Sequence, residues 1–458
     1  VDGTSPAGAR VGLTRRLAGT AYLGWQLWGQ ARYPFRSPAA LRQDQSRRIQ
    51  ATVAHAFRHV PYYRDVQRRL GLAPEEFCTE ESLSRLPVVE RDDLRRDPER
   101  FVSDLARRPD LLHLHSSGST GMPVSVFYDA AALFQNAAHA ERDRAARAGI
   151  VGRRRGYRQT LIGSRGGGVE ASQQYLEARA VLPARVAIRS QVLSMHDPLE
   201  DTVRQLDAFR PDVIRTQGSY LGLLFTWLSE RRRRCHRPAA AVFGGDGLPD
   251  GVRRLIEQDF GVAVFSAYQA IEALRIGFEC EARAGLHLNV DLYPVRIARP
   301  DGHPSPPGEP GEVLVSNLVS RGTMLLNYRL GDRAFVLEGP CPCGRTLPRL
   351  GGLLGRQDDF VILPTGRLVH PMTLGLPYLN HPDLWQYQIV QHDLTHLELR
   401  IVGSPTLARE ALRAHILRDW PRRLGTEAVS VDVRFVDRIE TGPHGKVRRV
   451  VSHVRPPP

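Results

Sequence analysis

Hydrophobic positions along this chain change period several times, and each change marks an element. From Leu41 to His59, with Ile49, Val53 and Phe57 at helical spacing, the pattern predicts a helix that stops at Val60-Pro61-Tyr62-Tyr63. Leu86-Pro87-Val88-Val89-Glu90 reads as a short extended piece, and Arg91-Asp92-Asp93-Leu94 as the start of another turn. Apolar and polar residues alternate in Leu111-Leu112-His113-Leu114-His115 and again in Val124-Ser125-Val126-Phe127-Tyr128, so two strands flank residues 116–123 like a long hairpin. The alanine-rich stretch Ala130 to Arg147 predicts a helix.

Strands and helices then alternate. Arg158 to Gly163, Pro211 to Thr216, Ala239 to Phe243 and Val262 to Ser266 read as strands. Asp201 to Phe209, Ser219 to Glu230 and Val252 to Asp259 read as helices, and Gly166-Gly167-Gly168 as a flexible loop. That alternation argues for a parallel sheet covered by helices. From Gly277 short strands dominate: Leu292 to Ile297, Glu312 to Asn317, Thr323 to Tyr328 and Ala334 to Glu338, with a proline-rich turn region at Gly302 to Gly311. A boundary falls near Gly355-Arg356-Gln357-Asp358-Asp359. Beyond it lies a small α+β unit, with strands at Tyr387 to Gln391, His396 to Val402 and Val429 to Phe435 and a helix at Leu407 to Arg418. The expected division is therefore a core over residues 1–356, β-rich over about 277–355, and a C-terminal domain over 357–458.

Composition fits that picture. The chain has 458 residues, 42% hydrophobic and 24% charged, as in a folded protein of several domains. No apolar run reaches the roughly 18 residues that a membrane span needs. Leu17 to Trp28 reads as an amphipathic helix rather than a signal peptide. The net charge of +14 comes mostly from arginine. Its densest runs, Arg153-Arg154-Arg155 and Arg231-Arg232-Arg233-Arg234, lack interleaved aromatics, which argues against nucleic acid as a partner. Five unevenly spread cysteines argue against a disulfide framework and for a reducing cytoplasm.

Five stretches carry candidate chemistry. Ser116-Ser117-Gly118-Ser119-Thr120-Gly121 offers hydroxyl donors and glycine amides that can cradle a polyphosphate, although taken alone it is an ordinary surface loop. It is not a Walker A loop, since Met122 follows Gly121. Tyr268-Gln269-Ala270-Ile271-Glu272 follows a strand directly. Its aromatic face can stack on a base, and its carboxylate can hold Mg²⁺ beside phosphates. Asn327 to Asp332 puts a carboxylate at a strand end, where it can accept both hydroxyls of a ribose. Its bland reading is a β-turn. Gly355 to Asp359 is a hinge or a solvated linker. Thr441 to Arg449 presents Lys446 on a glycine-rich turn, in a chain where lysine is scarce.

In this order, these residues resemble the adenylate-forming superfamily of acyl-CoA synthetases, and within it the phenylacetate–CoA ligase and CapK-like family. The resemblance runs from about residue 45 to the end. It includes Val60-Pro61-Tyr62-Tyr63-Arg64, Pro211-Asp212-Val213-Ile214, the turn from Gly244 to Gly247, and Cys341-Pro342-Cys343-Gly344-Arg345-Thr346-Leu347-Pro348. It implies an α/β fold: a large N-terminal adenylate-forming domain with a β-rich subdomain, and a small, mobile α+β C-terminal domain. It implies attack of a carboxylate on the α-phosphate of ATP, then displacement of AMP by the thiol of CoA. The residues from Ser116 to Gly121 would hold the phosphates. Gly245 and Asp246 would border the adenine, with Tyr268 and Gln269 beside it. Asp332 and Arg356 would hold the ribose, and Glu272 would bind Mg²⁺. Lys446 would bridge the carboxylate and the α-phosphate, with Asp358 as the hinge. Ser219, Tyr220 and Ser266 are candidate linings of the acid pocket.

Cys280 and His287, with the tight pair Cys341 and Cys343, match a structural Cys₃His zinc site, a set that the family's similar positions also carry. The alternative is four reduced residues without a metal. The sequence also departs from the family pattern. Met122 stands where a lysine is usual, Gln269 for glycine, Asp246 for glutamate and Leu330 for threonine. These departures leave the acid open, aromatic or not, and leave three acceptors: CoA, an amine or carrier-protein thiol in a specialised pathway, or a coenzyme hydroxyl that is adenylylated. The expected partners are small molecules, with no nucleic acid and no membrane, and the expected state is a monomer or homodimer.

Overall fold

The computed structural model describes residues 11–115, 124–164, 166–181, 187–356, 361–365, 368–369, 383–424, 429–440 and 450–454. The chain divides into two compact units. One comprises Val1–Gln159, Arg165–Val192 and Phe265–Leu353. The other comprises Thr160–Ser164, Leu193–Val264 and Leu354–Pro458. The units thus exchange segments, whereas the sequence pattern divides the chain lengthwise near residue 356.

The first unit opens with helices α1 (Leu13–Leu27), α2 (Pro38–His59), α3 (Pro61–Leu70) and α4 (Arg91–Arg96). Ser37 caps α2 by accepting from the amide of Ala40, and Pro38 occupies the first turn, where no amide partner is needed. The predicted stop at Val60-Pro61 is a change of direction. Val60 is extended, as a residue before proline prefers, and a new helix starts at Pro61. Strands β1 (Leu112–His115) and β2 (Ser125–Tyr128) pair antiparallel from Leu112↔Tyr128 to His115↔Ser125, the hairpin that the alternation predicts. Helix α5 (Ala130–Val151) follows, capped by the Asp129 side chain and closed by Gly152 at φ +78. β3 (Arg158–Gly163) takes the chain into the second unit. α6 (Gly168–Arg179) lies back in the first, and β4 (Arg189–Ser194) leads out again. The pattern does not predict α6, because Tyr175 is the only fully buried residue on it.

In the second unit, α7 (Leu199–Phe209), β5 (Val213–Gln217), α8 (Gly218–Glu230), β6 (Ala240–Gly244) and α9 (Asp250–Gln258) form a βαβ arrangement. β5 and β6 run parallel, from Val213↔Ala240 to Gln217↔Gly244. Ile214, Leu221, Leu224, Phe225, Val252 and Ile256 pack in its core.

β7 (Ala263–Tyr268) returns to the first unit, where β8 (Gly277–Glu279), β9 (Leu286–Leu288), β10 (Val295–Ala298), β11 (Gly311–Val315), β12 (Tyr328–Leu337) and β13 (Arg349–Arg356) follow. Their order is β7-β8-β9-β13-β12-β11-β10. Two expectations are corrected here. Thr323 to Leu326 lie outside any strand, because their amides turn to separate partners: that of Thr323 donates to Phe127 on β2 and that of Met324 to Phe101. Gly331-Asp332 is not a turn between strands but part of β12. Opposite Val313, the register jumps from Leu314↔Arg329 to Glu312↔Arg333. The extra residues form a bulge, with Gly331 at φ +84, a conformation suited to glycine.

The second unit is completed by the ribbon β14 (Val361–Ile362) and β15 (Leu368–Val369) and by a four-stranded sheet. That sheet comprises β16 (Leu384–Gln391), β17 (His396–Gly403), β18 (Ser430–Phe435) and β19 (Val450–Ser452), in the order β18-β17-β16-β19. Helix α10 (Arg409–Leu424) packs on it through Leu412, Ile416 and the fully buried Trp420, the α+β unit expected at this end. No described helix is long and apolar enough to cross a membrane.

Candidate functional site

In the first unit, β7 ends at Tyr268, whose ring is buried and whose hydroxyl donates to Asp332 Oδ2 at 2.8 Å. The bulge in β12 is what supplies Asp332. Four residues past Tyr268, Glu272 is only 6% exposed, and its Oε1 accepts from the Tyr328 hydroxyl at 3.1 Å. Its main-chain carbonyl accepts from Asn317 Nδ2, and the neighbouring carbonyl of Ile271 accepts from the Tyr128 hydroxyl at 2.7 Å. Burial, reinforced by the negative charge of Glu272, pushes the Tyr328 phenol above its ordinary range, so it stays a proton donor to the carboxylate. Tyr328, Tyr128 and Asn317 were not singled out from sequence. Each acts across a long chain separation, and only an aromatic residue ending a strand hints at two of them.

A cleft opens beside Tyr268 and Gln269, lined also by His139, Asp143, Arg275 and Asn289. Two of its lining residues, His139 and Asn289, belong to a buried charge network. Arg142, fully buried on α5, donates to both oxygens of Asp291 at 2.7 and 2.8 Å and to Asn289 Oδ1 at 3.0 Å. His139 Nε2 lies 2.9 Å from Asp291 Oδ2. Burial works against the Asp291 charge, but Arg142 and His139 hold its carboxyl well below the usual range.

Other expected site residues fall elsewhere. The β1–β2 hairpin brings His115 and Ser125 side by side. Ser116, Ser117, Gly118, Ser119, Thr120, Gly121 and Met122, with Asp358 and Lys446, lie outside the described residues. Arg356 closes β13. In the second unit, Gly245 turns the chain at φ +81, and Asp246 accepts from the backbone amide of Ser219 at 3.1 Å and from its hydroxyl. The Asp246 carboxylate thereby holds the first turn of α8 and takes up the Ser219 hydroxyl. Tyr220 is buried and shares a 3.1 Å hydrogen bond with Thr202. Ser266, on β7, donates its amide to Glu279 Oε2 at 2.8 Å.

The sulfurs of Cys280, Cys341 and Cys343 and the imidazole of His287 converge within 4.8 Å of one another. Cys280 Sγ and Cys341 Sγ are 3.7 Å apart, and Cys343 Sγ is 3.3 Å from His287 Nε2. Tetrahedral zinc with Zn–S bonds of about 2.3 Å sets its sulfurs about 3.8 Å apart, so the donor set fits that ion. Burial, with the other thiols beside it, pushes the Cys280 thiol up to about 12. Burial and then the Arg345 guanidinium bring His287 down to about 4, so the imidazole is neutral at pH 7 and can offer a lone pair. All five cysteines are free thiols. The knuckle is latched to the segment before α2, where the amide of Thr346 donates to the Pro34 carbonyl at 2.7 Å and Arg345 lies over the Phe35 ring.

No protein-family model matches the chain. It is 28% identical over 410 residues to the phenylacetate–coenzyme A ligase of Thermus thermophilus, an alignment covering 87% of this chain and 86% of that protein. It is 26% identical over 420 residues to the phenylacetate–coenzyme A ligase of Escherichia coli, covering 87% and 91%. A solved structure of 2-hydroxyisobutyryl-CoA ligase in the postadenylation state superposes with a TM-score of 0.74 at 21% identity, over 92% of this chain and 91% of that one.

Proposed function

We propose that the chain is an AMP-forming ligase of the adenylate-forming CoA ligase family, joining a small carboxylic acid to coenzyme A; its likeness to phenylacetate–coenzyme A ligases over most of its length supports that reading. In the first step, a carboxylate oxygen bonds to the α-phosphorus of ATP. The bond to the bridging oxygen breaks, and pyrophosphate leaves. In the second, the CoA sulfur bonds to the acyl carbon, the bond to the AMP oxygen breaks, and the thiol proton is released. The observation that carries this reading is the alignment of Tyr268, Glu272 and Asp332 in one unit, with Tyr268 bonded to Asp332 and Glu272 held by Tyr328.

Each residue then has a task. Asp332, fixed by Tyr268, accepts the ribose hydroxyls, with Arg356 as a second ribose contact. The Tyr268 ring, Gln269, Gly245 and Asp246 frame the base. Glu272 offers hard carboxylate oxygen, which fits Mg²⁺, and that ion when bound offsets phosphate charge. The stretch from Ser116 to Gly121 supplies hydroxyls and amides to the phosphates. Lys446 supplies the cation that the loop lacks at Met122, and Asp358 is the hinge that lets it arrive and leave. Cys280, His287, Cys341 and Cys343 hold a structural Zn²⁺, with four protein ligands and no open position for substrate. Thiols in that role fit a reducing cytoplasm.

Pyrophosphate exchange across a panel of acids tests the first step, and no exchange with any acid would refute it. Lys446→Ala should lower exchange about 100-fold or more, since it removes a charge aimed at the developing transition state. Full adenylation by that variant would remove Lys446 from the mechanism. Chromatography of the product formed with CoA or with amines distinguishes a thioester from an amide.

A further inference from the structure

The carboxyl ends of β5 and β6 form a rigid polar rim within the second unit. A Cβ on Gly218 would stand 2.7 Å from the carbonyl carbon and oxygen of Gly247, so the start of α8 and the turn after β6 touch backbone to backbone. Asp246 and Ser219 are bonded to each other across that contact. Two polar atoms on the same strand end are left over. Thr216 Oγ1 and Gln217 Oε1 are shielded from solvent and have no hydrogen-bond partner among the described residues. The register places Phe243 and Gly244 across from them, an aromatic ring and a residue with no side chain, neither of which can pair.

A shielded acceptor without a partner is unfavourable, and native structures leave few without a cause. Ligands of open α/β sheets bind beyond the carboxyl ends of the strands, which is where these two atoms lie. We propose that Thr216 and Gln217 are specificity residues that read a hydrogen-bond donor on the acid. Gln217 Oε1 accepts an O–H or N–H borne by the substrate, and the Thr216 hydroxyl completes the contact. The preferred substrate is then a hydroxylated or aminated carboxylic acid rather than an acid whose remainder is bare hydrocarbon. This rests on the adenylation reading above and narrows its substrate class.

The test is pyrophosphate exchange by the full chain with matched acids, 4-hydroxyphenylacetate against phenylacetate and 3-aminobenzoate against benzoate. Wild type, Gln217→Leu, Gln217→Asn and Thr216→Val are compared, with ATP-induced thermal protection as the check that each is folded. In wild type the donor-bearing member of at least one pair should be favoured in kcat/KM by about tenfold or more, because a site built around a donor rejects the analogue lacking it. Gln217→Leu should reduce that ratio at least about fivefold, and Gln217→Asn, which keeps the amide, should recover part of it. Exchange on both members of each pair with an unchanged ratio in Gln217→Leu and Thr216→Val overturns the inference and leaves adenylation standing. A rise in the KM for ATP with every acid, at constant ratio, also overturns it and assigns the two groups to the adenine amino group instead. Absence of exchange with every acid in wild type refutes the adenylation reading itself, and the inference falls with it.

Discussion

Glu272 is a buried carboxylate whose environment is set by one phenol. Tyr328→Phe would keep the ring in the core and delete the bond to Glu272 Oε1. Hydrogen bonds to charged groups are worth about 1.5–3 kcal/mol, so adenylation should fall about tenfold or more and require more Mg²⁺ for saturation, as a Mg²⁺ titration of exchange would measure. Tyr268→Phe should raise the KM for ATP several-fold by freeing Asp332, about the weight of one such bond. Tyr268, Glu272 and Asp332 were legible in the sequence because a strand end, a spacing of four and a glycine-aspartate pair are local signals. Tyr328, Tyr128 and Asn317 were not, because they reach residues 268–272 from remote strands and loops.

Among the elements, the bulge in β12 matters most for the site. It adds residues opposite Val313 and re-aims Asp332 toward Tyr268. Gly331→Val would force a branched residue into φ +84. The expected loss is about 1–3 kcal/mol in denaturant unfolding, together with a raised KM for ATP as Asp332 shifts. The period of the chain announced α2 and the hairpin β1–β2, alanine content announced α5, which is buried all round at residues 138–143, and the alternation of strands and helices announced α7 to α9. Pairing register is a property of two strands at once, so the bulge was hidden and its glycine read as a turn. α6 was missed for a different reason. One buried tyrosine is too little to write a helical period, and the three glycines before it look like a loop.

On the scale of the whole molecule, the α/β class and the C-terminal sheet were readable from alternation alone, but the exchange of segments between the two units was not. It depends on where strands insert, which no local pattern encodes. The Cys₃His knuckle joins residues 280–287 to 341–343, so its metal would close a long loop. Elemental analysis should find about one zinc per chain. Chelation or Cys341→Ser should lower the melting temperature by about 5 °C or more, and a metal-free preparation of unchanged stability would dismiss the ion.

The distribution of tryptophan decides how such losses could be watched. Trp25 and Trp28, in the first unit, are 67% and 87% exposed, whereas Trp227, Trp385 and Trp420 are all buried in the second. Intrinsic fluorescence is therefore blind to much of what happens around the zinc knuckle. Its red shift on denaturation would report the βαβ core and the C-terminal sheet, while iodide would quench the first unit's emission even in the native state. Unfolding of the knuckle would register in circular dichroism and leave the emission maximum nearly still. A divergence between the two signals would show that the units come apart in separate steps.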